Sequence, residues 1–257
     1  MVNSAQQQRN NESQWFSLVM ENAVSFLNSA VKNLDNSPKN SIIDLYTAIE
    51  LILKARLMKE HWSLIISKVE EADIAKFEVG DFKSITLGQA FRRLSKICDE
   101  CINEYAIRNF SQLGVHRNQI VHFAHTNFTT SKSEVVAELW ASWFYLYELI
   151  NEQWSDYFVG YEDKFALINT LVIGKRDYLE EVFKIKSAVI KSEISKGSGI
   201  YECPSCKLNS ALVTKDTQIK NVGKMRPLGT WGRMSYPAKK FHCLVCNVGG
   251  FVIIEDD

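Results

Sequence analysis

Apolar residues begin to recur at Trp15 and Phe16 and continue through Val19, Met20, Ala23, Val24, Phe26, Leu27 and Val31, spaced for one face of a helix. Ser37-Pro38 ends this helix and starts a second, over 41 to about 61, in which Ile42, Ile43, Leu45, Tyr46, Ile49, Ile52 and Leu53 leave little polar surface. A helix that is apolar nearly all round belongs at the centre of a bundle. A third is predicted over 86–105 on the stripe Leu87, Ala90, Phe91, Leu94 and Ile97. Gly114 reads as a breaker, and 115–125 as the opening of a fourth helix that closes in an Asn/Thr/Ser-rich turn at 126–131. Ser131-Lys132-Ser133-Glu134 has the form of a capping box, so a fifth, aromatic-rich helix is expected to about 154.

Helical periodicity persists over 162–195, through Phe165, Leu167, Ile168, Leu171, Tyr178, Val182, Phe183, Ile185 and Ile190. After Lys196-Gly197-Ser198-Gly199 it gives way to short strands at 200–201, 211–214 and 251–254. The expected organisation is a polar, disordered tail at 1–13, a helical bundle over 14–155, a helical connector over 156–197 and a small β-rich domain over 198–257. The fold class is therefore mainly α with a β-rich end.

Composition narrows the function classes. The chain has 257 residues, 30 Lys+Arg against 30 Asp+Glu, so no overall field draws it onto nucleic acid or an anionic membrane, and any such contact is local. The longest apolar run, 165–174, is broken by Asn169 and falls well short of the roughly 20 residues needed to cross a bilayer. No membrane partner is expected. The polar start, with Gln6-Gln7-Gln8-Arg9-Asn10-Asn11, lacks the apolar core of a secretory signal, and a cytoplasmic protein is expected.

All six cysteines fall in Cys-x-x-Cys pairs, which without an export signal favours thiolate ligands over disulfides. Cys203-Pro204-Ser205-Cys206 and Cys243-Leu244-Val245-Cys246 each fit a tight turn with both sulfurs facing one point, and together they supply a tetrahedral Zn²⁺ site. A closed set of four thiolates leaves no open position, so the metal is expected to be structural, with none needed for catalysis. The expected fold is a zinc ribbon with a loop inserted between its knuckles. That insert carries Lys207, Lys215, Lys220, Lys224, Arg226, Arg233, Lys239 and Lys240 against Asp216, interleaved with Trp231, Tyr236 and Phe241. Backbone contact plus base stacking on RNA requires such a set; a solvated loop with ordinary surface lysines, or a protein-binding surface, fits it as well. Cys98 and Cys101 sit in the third helical pattern with no second pair to complete a metal shell, and read as structural.

Arg117-Asn118-Gln119-Ile120-Val121-His122 resembles the Arg-polar-x-x-x-His motif of the HEPN superfamily, and 44–57 looks like the central helix of that family. The resemblance spans about 15–155. It implies a helical bundle that cleaves RNA to 2′,3′-cyclic phosphate and 5′-OH ends, with His122 as acid/base, Arg117 stabilising the transition state and Asn118 positioning the phosphate. It also implies a homodimer with a composite site, and a defence or stress-response role. A non-catalytic HEPN module that holds nucleic acid or nucleotide, or a protein-interaction scaffold, is the alternative. The residues support a phosphate site on their own terms: a helix N-terminus offers free N–H groups, Arg a forked cation, and His a proton near neutral pH. Glu50 interrupts the apolar run of the second helix and is expected to meet a cation, either Arg117, as in the family, or Lys54 one turn on. HEPN toxins paired with a nucleotidyltransferase carry Tyr two places after the motif histidine; Ala124 stands there, so that form of control is not expected.

Overall fold

The computed structural model describes the backbone of residues 2–123, 132–213, 219–225 and 233–253, and the side chains of 14–123, 133–213 and 238–251. Two compact units divide it at Gly174/Lys175.

In the first unit α1 (Val2–Asn33) and α2 (Pro38–Met58) form a hairpin joined at 34–37. Its register is held by polar contacts: Ser41 Oγ donates to Ala30 O (2.7 Å), and Asp44 accepts from Ser29 (2.6 Å) and Asn33 (3.0 Å). The helical backbone begins at Val2, so the segment expected to be a tail continues α1. Pro38 stands in the first turn of α2, where its missing N–H costs nothing. As the apolar pattern requires, α2 is the central helix, with Ile42, Leu45, Ala48, Ile49, Ile52, Leu53 and Leu57 all buried. A short helix α3 (Ile74–Glu78) and 3₁₀ turns lie between α2 and α4 (Leu87–Ile97). The Arg93 guanidinium fastens this region by donating to the carbonyls of Leu64, Ile66 and Ser67.

The expected third helix over 86–105 is two elements. Thr86 and Gln89 cap α4 with a reciprocal box, the helix ends at Ile97, and Asn103 caps α5 (Glu104–His122). Cys98 and Cys101 therefore lie in the connecting segment and not in a helix. Ser131 and the end of the expected fourth helix lie outside the described residues. The fifth helix is α6 (Lys132–Glu148), rich in buried aromatics and continued by a π-helical turn, Leu149–Gln153. Then α7 (Glu162–Ile173) packs on α1, and its Asn169 accepts from buried Trp143 Nε1 (3.1 Å). The polar residue that broke the apolar run is thus a satisfied core partner.

In the second unit α8 (Arg176–Ser195) joins an antiparallel sheet of β1 (Gly199–Glu202), β2 (Asn209–Val213), β3 (Ile219–Met225), β4 (Arg233–Cys243) and β5 (Gly249–Ile253). The expected connector over 156–197 therefore splits: α7 belongs with the bundle and α8 with the sheet. The expected insert contains strands, because β3 and most of β4 form an antiparallel pair running from Ile219↔Lys239 to Met225↔Arg233. Lys215, Asp216, Arg226 and Trp231 lie outside the described residues. Among the described residues no helix is long and apolar enough to cross a membrane.

Candidate functional site

The Arg-His motif occupies the last turns of α5, not the first turn of a helix. Gly114 does not break α5; it is buried inside it, and a Cβ there would stand 2.7 Å from Tyr46 Cε2. The glycine permits the close approach of α5 to α2. Consequently the helix N–H groups expected to cradle phosphate are not at the motif, which lies toward the carbonyl-bearing, partially negative pole. Any anion binding here rests on side chains.

Arg117 is half-buried. Its guanidinium lies 5.7 Å from the Tyr46 ring centroid, Nη1 donates to Asn118 Oδ1 (3.0 Å), and its buried Nε has no hydrogen-bond partner among the described residues. Arg117 and His122 are five positions apart, about 140° around a helix, whereas Asn118 and His122 share a face. The bond to Asn118 draws the guanidinium toward that shared face. Asn118 and His122 are both exposed, and no hydrogen bond to the His122 ring occurs among the described residues. Glu50 is joined to this set through Tyr46, whose hydroxyl donates to Glu50 Oε1 (3.4 Å). Glu50 and Arg117 thus flank the same ring and make no direct ion pair. Lys54 feels the Glu50 charge, but its ammonium bonds Ser84 Oγ (3.2 Å). Neither partner expected for Glu50 closes an ion pair with it.

Tyr46 and the His116–Glu138 pair are the participants that periodicity concealed. Tyr46 reads as one more apolar position of α2, although its spacing of four from Glu50 was a usable signal. His116, buried beside Arg117 in the chain, bonds Glu138 through Nε2 (2.5 Å) and ties α5 to α6. Burial, then the Glu50 charge, raise the Tyr46 phenol to about 12. A raised folded-state value stabilises the fold below the unfolded value near 10 and is lost as pH climbs through 12. One tyrosine is accordingly expected to ionise late in a 295 nm titration, and Tyr46→Phe to remove that step. Gly114→Ala is expected to cost about 1–3 kcal/mol by overpacking against the ring, measured by denaturant unfolding, with most of the loss recovered when Tyr46→Leu is added.

The second candidate site is the cluster of Cys203, Cys206, Cys243 and Cys246, all buried, with their sulfurs within 4.8 Å of one another. Across the knuckles Cys203 and Cys246 Sγ are 3.6 Å apart, and Cys206 and Cys243 Sγ 3.7 Å. Metal–sulfur bonds of about 2.3 Å in a tetrahedron put sulfurs about 3.8 Å apart, so the donor set fits a metal ion. The two knuckles repeat one backbone design. Lys207 N bonds Cys203 O and Asn247 N bonds Cys243 O, while Cys203 N and Cys243 N bond Leu208 O and Val248 O. The residue after each second cysteine is left-handed, Lys207 at φ 58° and Asn247 at φ 64°. Asn tolerates that region well, so Asn247 was a sequence signal for the turn; Lys207 was not. Burial raises the Cys206 and Cys246 thiols. Burial acts on Cys243 as well, but the N–H of Cys246, the Ser210 hydroxyl and the N–H of Val245 outweigh it and hold this thiol at about 7. Arg176, opening α8, donates to the Cys206 carbonyl (2.8 Å) and makes the helix part of this structure.

Comparison of the chain with family models, with curated proteins and with solved structures returned no match.

Proposed function

We propose that the chain is a HEPN-type endoribonuclease that cuts RNA without a metal at the reacting phosphate, and that its four cysteines hold a structural zinc ion. The observation that carries the first part is the setting of Arg117: a guanidinium braced by Tyr46 and Asn118 and turned toward the exposed face that carries His122. In the reaction the 2′-oxygen of one nucleotide bonds to the adjacent phosphorus as the bond to the 5′-oxygen breaks, leaving a 2′,3′-cyclic phosphate and a 5′-OH. His122 takes the 2′-OH proton or delivers one to the leaving 5′-oxygen. Arg117 neutralises the charge that grows on the non-bridging oxygens, and Asn118, its carbonyl engaged by Arg117, offers its amide N–H to the phosphate. Glu50 acts at one remove, through the Tyr46 hydroxyl. The HEPN resemblance further implies a homodimer that brings two motifs to one composite site, a setting in defence or stress response, and a ribbon that contacts RNA or a protein partner. Zinc at Cys203, Cys206, Cys243 and Cys246 would supply folding free energy and no reaction chemistry.

The test is incubation of purified protein with total RNA and a labelled single strand in EDTA, beside Arg117→Ala and His122→Ala, followed by analysis of the ends. Cyclic-phosphate ends from the wild type are expected, with each variant slower by at least about 10²-fold. A second reading, a non-catalytic module that holds phosphate, is favoured by one feature: nothing among the described residues orients the His122 ring. Intact RNA in every lane, with binding that weakens in Arg117→Ala, would establish that reading instead.

A further inference from the structure

Ser210, at the start of β2, has its side chain fully buried between the knuckles. Its Oγ stands 3.2 Å from Cys243 Sγ and 3.6 Å from Cys206 Sγ, one sulfur of each Cys-x-x-Cys pair. Its backbone bridges the same two turns, Ser210 N donating to Leu208 O (2.8 Å) and Ser210 O accepting from Leu244 N (2.9 Å). We propose that Ser210 is the positioning residue that locks the metal into the four-cysteine cluster, by holding its one hydroxyl proton between a thiolate of each knuckle, nearer to Cys243. The proposal rests on the reading of that cluster as a metal centre.

When a metal binds, all four sulfurs are thiolates and have no proton to give. The Ser210 hydroxyl then holds the one side-chain proton between Cys206 and Cys243. The Leu208 carbonyl, 3.2 Å away, competes for it as a neutral acceptor, whereas a thiolate attracts it as a charged one. Cys243 already accepts from the N–H groups of Val245 and Cys246, both at 3.4 Å. The hydroxyl adds a third donor and ties that sulfur to the opposite knuckle. Each such bond fixes a ligand's direction and withdraws charge from sulfur, so a sulfur that leaves the metal must break it as well. Alanine at 210 would keep both backbone bonds and most of the side-chain volume and delete only the hydroxyl.

The experiment uses the full-length chain loaded with Zn²⁺ or with Co²⁺, and compares wild type with Ser210→Ala and Ser210→Thr. Transfer of Zn²⁺ to a chromogenic chelator is expected to be about 10–100-fold faster from Ser210→Ala. The sulfur-to-cobalt charge-transfer band is expected to move to lower energy in that variant, because an unbonded thiolate gives up its electron more readily. Ser210→Thr keeps the hydroxyl and is expected to keep the wild-type band. Equal transfer rates and an unmoved band in Ser210→Ala, or a lowered band in Ser210→Thr, would overturn the role of Ser210 while leaving the metal centre standing. A wild-type chain that takes up neither ion would overturn both.

Discussion

Withdrawal of the metal proposed for the four cysteines is expected to unfold the sheet of the second unit and to leave the helical bundle of the first as it was. The reason lies in what the second unit buries. Apart from the face of α8 that holds Tyr178, Leu179, Val182 and Ile190, its described core consists of Ala211, Val213, Ala238, Phe241 and Val245 around the four cysteines and Ser210. Such a set removes too little apolar surface from water to offset the ordering of its chain. Structural zinc contributes on the order of 10–16 kcal/mol near neutral pH in sites of this kind, enough to decide the outcome. Hydrogen exchange read by mass spectrometry, before and after a mercurial and EDTA, should show protection lost over 199–213 and 238–251 and retained over 38–58. Cys243→Ala should reproduce this without chelator, since it deletes both a proposed ligand and the acceptor of the Ser210, Val245 and Cys246 bonds. A sheet that keeps its protection after complete chelation would mean that packing alone folds it, and the four cysteines would need another explanation.

The four-cysteine cluster was legible because its chemistry is local: each Cys-x-x-Cys pair sits in one turn, and two such turns bring four sulfurs within 4.8 Å of one another, as a metal ion would require. The bundle was legible for a related reason, since the continuous apolar surface of α2 has only one stable location. What failed were readings that depended on a neighbouring helix. Gly114 carries the signature of a breaker, yet its function in the fold is to admit the Tyr46 ring, a contact between residues 68 apart that no window along the chain contains. That one reading displaced the start of the motif helix and with it the expected phosphate cradle. The placement of Glu50 failed in the same way. A carboxylate in an apolar run does need a partner, but the partner is the Tyr46 hydroxyl on its own helix, and the charge of Arg117 acts on that same tyrosine. Asn169 and the split of the expected connector follow the same pattern, because periodicity places 162–195 in helices without saying which core each helix completes.

Arg56→Ala is expected to be the most damaging single substitution in the bundle, at about 3–5 kcal/mol, the range found when one partner of a buried ion pair is removed. The Arg56 side chain is 1% exposed. Burial works against its charge, and the carboxylates of Glu60 and Glu100 overcome that and hold it protonated. Nε and Nη2 both donate to Glu100 Oε1 (2.9 and 2.6 Å), Nη1 donates to Glu60 (2.8 Å), and the guanidinium carbon lies 3.5 Å from the centroid of the Tyr157 ring. The two acids are not equivalent: Glu60 is 42% exposed and can turn to water, but Glu100 is 10% exposed and, among the described residues, would keep the side chain of Gln153, which donates to its other oxygen (2.6 Å). Most of the cost therefore belongs to Glu100. Lysine is a poor substitute, because one ammonium cannot reach two carboxylates as a planar fork and still lie flat on a ring. Three variants separate the ion pair from the packing. Arg56→Ala and Arg56→Lys should both lower the urea midpoint, whereas Arg56→Met with Glu100→Gln should recover much of the loss by removing the stranded charge and refilling the volume. Tryptophan fluorescence suits the measurement, since Trp15, Trp62, Trp140, Trp143 and Trp154 all belong to this unit. If the double variant proves no more stable than Arg56→Ala, the loss comes from packing against Tyr157 and not from the unpaired carboxylate.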